Sequence, residues 1–129
     1  MNAERVSIAR PTILVVEDEA LIREIAAITL SELGYPVIEA ASAQEALKLL
    51  DDVEILGGML TDVQMPGMSG VELAQRVSRQ FPGAGILVTS GRAAPTPSEM
   101  PQGARYIAKP WDSEQLIAAM RRVLPKTLQ

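Results

Sequence analysis

The chain predicts a doubly wound α/β fold, a (βα)5 three-layer sandwich around a parallel sheet in the order 2-1-3-4-5. Three observations carry that expectation. Short, unbroken apolar runs recur at 13–16, 55–60 and 86–88, the first β-branched in three of four positions, and a strand buried on both faces shows no polar alternation. Between the runs lie segments with apolar residues at helical spacing. Turn and capping residues separate the two kinds, and strands alternating with helices at this interval imply βαβ units with right-handed crossovers. The order follows from choosing a single reversal, which opens a crevice over strands one and three.

Ile13, Leu14, Val15 and Val16 lie between Pro11 and Glu17-Asp18-Glu19 and form the first strand. Leu21, Ile22, Ile25, Ile28 and Leu33 recur at helical spacing as an apolar helix face, and Gly34 supplies the stop. Val37 and Ile38 make a short second strand after Pro36. Ser42 and Glu45 have capping-box spacing and open a helix carrying Ala46, Leu47, Leu49 and Leu50, which Asp51-Asp52 ends. The run 55–60 leads to Asp62, and Pro66-Gly67 turns the chain, since proline lacks an amide donor and glycine tolerates positive φ. Ser69 and Glu72 repeat the capping box before Val71, Leu73, Ala74 and Val77. Ile86, Leu87 and Val88 form a fourth strand ending at Thr89-Ser90-Gly91. Between Arg92 and Gly103, Pro95, Pro97 and Pro101 leave room for little more than one helical turn, so the fourth helix is expected to be short or degenerate. A fifth strand at 104–108 reaches Lys109-Pro110, and Asp112 or Ser113 caps a last helix with Leu116, Ile117, Met120, Val123 and Leu124 inward.

Bulk composition narrows the function. The 129 residues, 47% of them hydrophobic, suit one domain with a mainly aliphatic core, as only four residues are aromatic. A net charge of −4 provides no basic stripe for nucleic acid. The absence of Cys and His excludes disulfides, thiolate or imidazole metal sites and Ser-His-Asp catalysis. No window approaches the ~18 consecutive apolar residues of a membrane span, and no signal peptide opens the chain, so a cytoplasmic protein is expected. Residues 1–10 read as a polar lead-in, 11–125 as the domain and 126–129 as a tail.

A parallel sheet opens all its strand C-termini onto one edge, where ligands of such folds bind. There the chain places Glu17-Asp18, Asp62, Ser90 and Lys109. Alone, Asp62 would read as a turn residue. Three carboxylates packed together repel, and a hard divalent cation such as Mg²⁺ relieves them while leaving positions for phosphate oxygens. Lys109 can hold an anion and Ser90 can donate to one. A cation, a nucleophilic carboxylate and two oxyanion partners describe phosphoryl transfer onto Asp62 to form an acyl phosphate.

Along nearly its whole length the chain resembles the receiver domain of two-component response regulators, in the CheY-like superfamily. The matching features are Glu17-Asp18 after the first strand, the run from Asp62 to Gly70, Ser90-Gly91, and Tyr106 with Lys109-Pro110; Asp18 and Asp62 are 44 residues apart. The resemblance implies that Asp62 accepts phosphate from a histidine kinase or phosphotransfer protein. It implies Mg²⁺ or Mn²⁺ held by Asp18, Asp62 and the Gln64 backbone carbonyl, with Glu17 acting through water. Ser90 would follow the phosphoryl group, Lys109 would contact it, and Tyr106 resembles the switch aromatic that turns inward on activation. Trp111 stands where the family commonly has Phe or Tyr. Gln64 and Arg92 are expected to influence hydrolysis of the acyl phosphate.

A stand-alone signalling receiver is therefore expected, monomeric or weakly dimeric. It would be a phospho-acceptor and not an enzyme, and would act on a downstream protein target without touching nucleic acid or membrane. Two competing readings are a haloacid-dehalogenase-like phosphatase, which would need a second Asp where Gln64 stands, and a non-phosphorylated pseudo-receiver that only binds. Loss of the fourth helix puts the usual signalling face in question.

Overall fold

The computed structural model describes residues 10–126, so the expected lead-in and tail lie outside it apart from Arg10 and Lys126. Five strands are formed among these residues: β1 (Thr12–Val16), β2 (Val37–Ala40), β3 (Leu56–Asp62), β4 (Gly85–Ser90) and β5 (Arg105–Ala108). All pair in parallel in the order β2-β1-β3-β4-β5, as the single-reversal argument expects. Successive residues of a strand face opposite sides, so the apolar runs serve two cores at once. Leu14, Val16, Met59, Ile86 and Val88 join α2 (Ala43–Leu50) and α3 (Gly70–Gln80) on one side. Ile13, Val15, Leu60 and Leu87 join α1 (Ala20–Ser31) and α4 (Ser113–Val123) on the other.

The expected caps form, with differences in detail. Ser42 and Ser69 accept the amides of Glu45 and Glu72. Glu45 reaches back to the amide of Ala41 instead of Ser42, while Glu72 stands 3.8 Å from Arg76. Of the two candidates for the last cap it is Asp112 that serves, in a complete capping box with Gln115. Between β4 and β5 the only helical element is a 3₁₀ turn, Pro97–Glu99, opened by a Thr96–Glu99 capping box. The segment is nonetheless tied down: Gln75 of α3 donates to the Glu99 carbonyl, and Met100 packs on the α2/α3 core.

The first helix departs from expectation. Its buried residues are Ala26, Ala27, Thr29 and Leu30, whereas Leu21, Ile25 and Ile28 are 69%, 46% and 59% exposed. The helix also ends at Ser31, and Gly34 (φ +92°) follows after a further turn. This helix is apolar on two sides, so periodicity alone does not select its inner face. Small alanines allow it to lie close to the sheet beside α4, and the bulkier stripe is left outside.

One glycine fixes the functional end of β3. The Gly70 amide donates to the Val63 carbonyl, and a β-carbon at Gly70 would lie 1.8 Å from the backbone oxygen of Asp62. The start of α3 thus presses on the strand end that carries Asp62. Gly70→Ala is expected to destabilise the fold by about 1–3 kcal/mol, as overpacking does. Gly83→Ala, where nothing lies within 4 Å, should stay close to the parent in chemical unfolding.

Candidate functional site

Strand register brings the expected residues together. Val16 pairs with Thr61, Asp62 with Thr89, and Ser90 with Ala108, so Glu17-Asp18, Asp62, Ser90 and Lys109 all emerge at the carboxyl edge of neighbouring strands. Carboxylate oxygens of Glu17, Asp18 and Asp62 lie within 4.8 Å of one another. Glu17 and Asp62 are buried and Asp18 is exposed. Lys109 crosses from beyond β5 and donates to Glu17 Oε1 at 2.7 Å and to Asp62 Oδ2 at 2.9 Å.

The two sides of this ion cluster respond differently to burial. Burial pushes the Glu17 carboxyl above the ordinary range and the charge of Asp62 adds to the rise; hydrogen bonds from Lys109 and the Glu19 amide oppose it without cancelling it. Burial by itself would lower Lys109, but its hydrogen bonds to Glu17 and Asp62 outweigh that and hold the ammonium above its ordinary value. The ammonium bridges Glu17 and Asp62, and with Asp18 as a third acid nearby the cluster keeps formal negative charge. The donors are hard oxygens, one of them on the open side, which fits a hard divalent cation with some water ligands.

Around the cluster the backbone is pinned by polar contacts. The remaining Asp62 oxygen accepts the Gln64 amide at 3.2 Å. Ser90 is fully buried and donates from Oγ to Gln64 Oε1 at 2.7 Å, while accepting the Arg92 amide at 2.9 Å. The hydroxyl of its neighbour Thr89 is buried with no hydrogen-bond partner among the described residues. The Tyr106 hydroxyl lies 3.1 Å from the Ser90 carbonyl and 3.3 Å from that of Arg92, so it ties β5 to the segment after β4.

Sequence reasoning missed three contributors. Arg23 of α1 donates to the Glu17 carbonyl at 2.7 Å and stands 3.6 Å from Glu39; nothing in the pattern of α1 marks that reach to the end of β1. Gly70 ends the matching run that starts at Asp62, but nothing in the sequence marks its close approach to the Asp62 backbone. The third is an apolar groove of about 210 Å³ lined by Ile22, Ile25, Lys109, Pro110 and Trp111. It shares Lys109 with the ion cluster, and the buried Trp111 indole N–H has no acceptor among the described residues.

Known proteins resemble this chain in sequence and in fold. The family model for the response regulator receiver domain matches residues 13–121. The chain is 36% identical over 121 residues to the phosphate regulon transcriptional regulatory protein PhoB of Pseudomonas aeruginosa, covering 90% of this chain and 52% of that one. It is 33% identical over 122 residues to the sensor kinase CckA of Brucella abortus, covering 89% of this chain but 13% of the kinase. The chain spans about half the length, or less, of the curated relatives it matches first. Among solved structures, the chemotaxis protein CheY4 of Vibrio cholerae superposes with a TM-score of 0.78 at 28% identity, covering 90% of this chain and 100% of that one. A response regulator receiver protein of Sinorhizobium medicae reaches 0.82 at 28% identity, covering 91% and 96%. With the fold, the edge constellation and these relatives in agreement, the chain belongs to the response regulator receiver domain family of two-component signalling.

Proposed function

We propose that this receiver takes a phosphoryl group onto Asp62 from a protein phosphohistidine. The observation that carries the reading is Lys109, whose ammonium bridges Glu17 and Asp62 at 2.7 and 2.9 Å within a cluster of three carboxylates. In the transfer an Asp62 oxygen forms a bond to phosphorus as the bond from phosphorus to the histidine nitrogen breaks. The imidazole leaves with the electron pair and takes a proton from solvent. Lys109 neutralises charge on the transferring group and Ser90 donates its hydroxyl to a phosphoryl oxygen. Water attack on the acyl phosphate later returns the Asp62 carboxylate and releases inorganic phosphate.

Receiver domains bind Mg²⁺ through an acidic pocket, and the cluster here is of that kind. Asp18, Asp62 and the Gln64 carbonyl would hold Mg²⁺ or Mn²⁺, with Glu17 acting through water, and the bound ion would offset negative charge on the nucleophile and the phosphoryl oxygens. The phosphatase alternative is not favoured: the second acid it needs is replaced by Gln64, whose side chain is committed to Ser90. The binding-only alternative gives no account of a complete acidic set.

The phosphodonor protein docks, in this reading, over the Ile22–Ile25–Trp111 groove and the exposed stripe of Leu21, Ile25 and Ile28. Lys109 is common to the groove and the ion cluster, so a helix seated there can present its phosphohistidine to Asp62. Among the described residues no helix is long and apolar enough to cross a membrane.

Incubation with Mg²⁺ and a small phosphodonor should add one phosphoryl mass to the intact chain, and Asp62→Asn should add none; an equal adduct on Asp62→Asn would reject Asp62 as the acceptor. Ile25→Asp should slow uptake from a phosphohistidine protein by about tenfold, the effect of losing one apolar anchor, and leave uptake from the small donor unchanged. Parallel loss with both donors would place Ile25 outside a docking role. Without metal, Glu17 binds its proton more tightly folded than unfolded. The folded state therefore holds more protons just above the ordinary glutamate pKa of about 4.3, and stability falls as pH rises through that window. Glu17→Gln should flatten that slope in unfolding titrations, whereas an unchanged slope would assign it to other groups.

A further inference from the structure

We infer that the Gln64 side chain is a positioning residue that holds the Ser90 hydroxyl in its unphosphorylated arrangement and so opposes phosphorylation of Asp62. The inference rests on the proposed phosphoryl acceptance and concerns the side chain of Gln64, not its backbone carbonyl. A serine hydroxyl has one proton to donate. In this structure that proton goes to Gln64 Oε1 at 2.7 Å, and the lone pairs accept the Arg92 amide at 2.9 Å. Ser90 is fully buried, so no bulk water substitutes for either partner. Donation to a phosphoryl oxygen on Asp62 therefore requires the proton to leave Gln64.

Release has consequences on both sides. Gln64 is exposed, so its freed carbonyl is taken up by water at little cost. The Arg92 amide is different, because rotation of Ser90 removes its acceptor. Arg92 is also where the Tyr106 hydroxyl reaches the chain. The hydroxyl of Ser90 thus cannot be in two places: bonded to Gln64 it anchors the start of the segment between β4 and β5, and bonded to a phosphoryl group it lets that start go. A ligand that captures Ser90 shifts this two-state element in proportion to its preference for the released arrangement.

The test is a double-mutant cycle read by Trp111, the single tryptophan of the chain, during titration with beryllofluoride and Mg²⁺ as phosphoryl mimic. Gln64→Met keeps the length of the side chain and removes the acceptor. It should tighten beryllofluoride binding about fivefold, the size of one ordinary hydrogen bond. In a Ser90→Ala background the same substitution should have no effect, because there is no hydroxyl left to hold. A metal-free readout accompanies it: hydrogen exchange at the Arg92 amide should quicken about fivefold in Gln64→Met and stay at the parental rate in Gln64→Glu, which keeps an acceptor. Equal effects of Gln64→Met in both backgrounds, or unchanged Arg92 exchange, would overturn the inference while leaving phosphoryl acceptance intact. A folded parent chain that neither responds to beryllofluoride nor gains phosphoryl mass would overturn both.

Discussion

Two nearly dry carboxylates, Glu17 and Asp62, share one ammonium, and the rest of the structure is arranged around that shared charge. Leaving either acid unpaired at this depth would be costly, because removing one partner of a buried pair strands the other. Lys109 prevents that by arriving from beyond β5, with β4 and β3 between it and β1. The parallel sheet makes this reach short by ending every strand at one edge. It does not complete the neutralisation, however: Asp18 adds a third acid on the open side. The cluster therefore pairs its two buried acids and still keeps excess negative charge on its open side.

The same edge connects the chemistry to the periphery by two routes. Toward the β4–β5 segment, Ser90 joins Gln64 to the Arg92 amide, and Tyr106 adds a second tie to the same backbone. With a 3₁₀ turn in place of a full helix, that segment has few regular hydrogen bonds of its own, so these ties carry much of its order. Toward α1, Lys109 and Trp111 line a groove continuous with an apolar helix stripe. One route suits readout of the site and the other suits delivery of its phosphoryl group.

Legibility differed sharply between parts of the chain. Glu17 and Lys109 directly follow an apolar run, and Asp62 and Ser90 follow one after a single threonine, so the polar residues at these strand ends were readable. The proline spacing also foretold the reduced helix. The inner face of α1 was not readable, because Ile22–Ala26–Leu30 and Leu21–Ile25–Ile28 are both apolar stripes and the choice between them depends on how closely α4 packs alongside. Arg23 escaped notice for a related reason: a basic residue in a helix carries no mark of the distant carbonyl it will find.

By itself the sequence determined the alternation of strands and helices, the parallel class and the residues at each strand end. Those properties are local, set by burial pattern, capping and turn chemistry within short windows. Only the tertiary structure decided which oxygens Lys109 bridges, that Gln64 and not solvent holds Ser90, and that Gly70 must lack a β-carbon against the backbone of Asp62. These depend on register and helix placement between segments far apart in the chain, and pairwise distances of that kind have no signature in any single stretch.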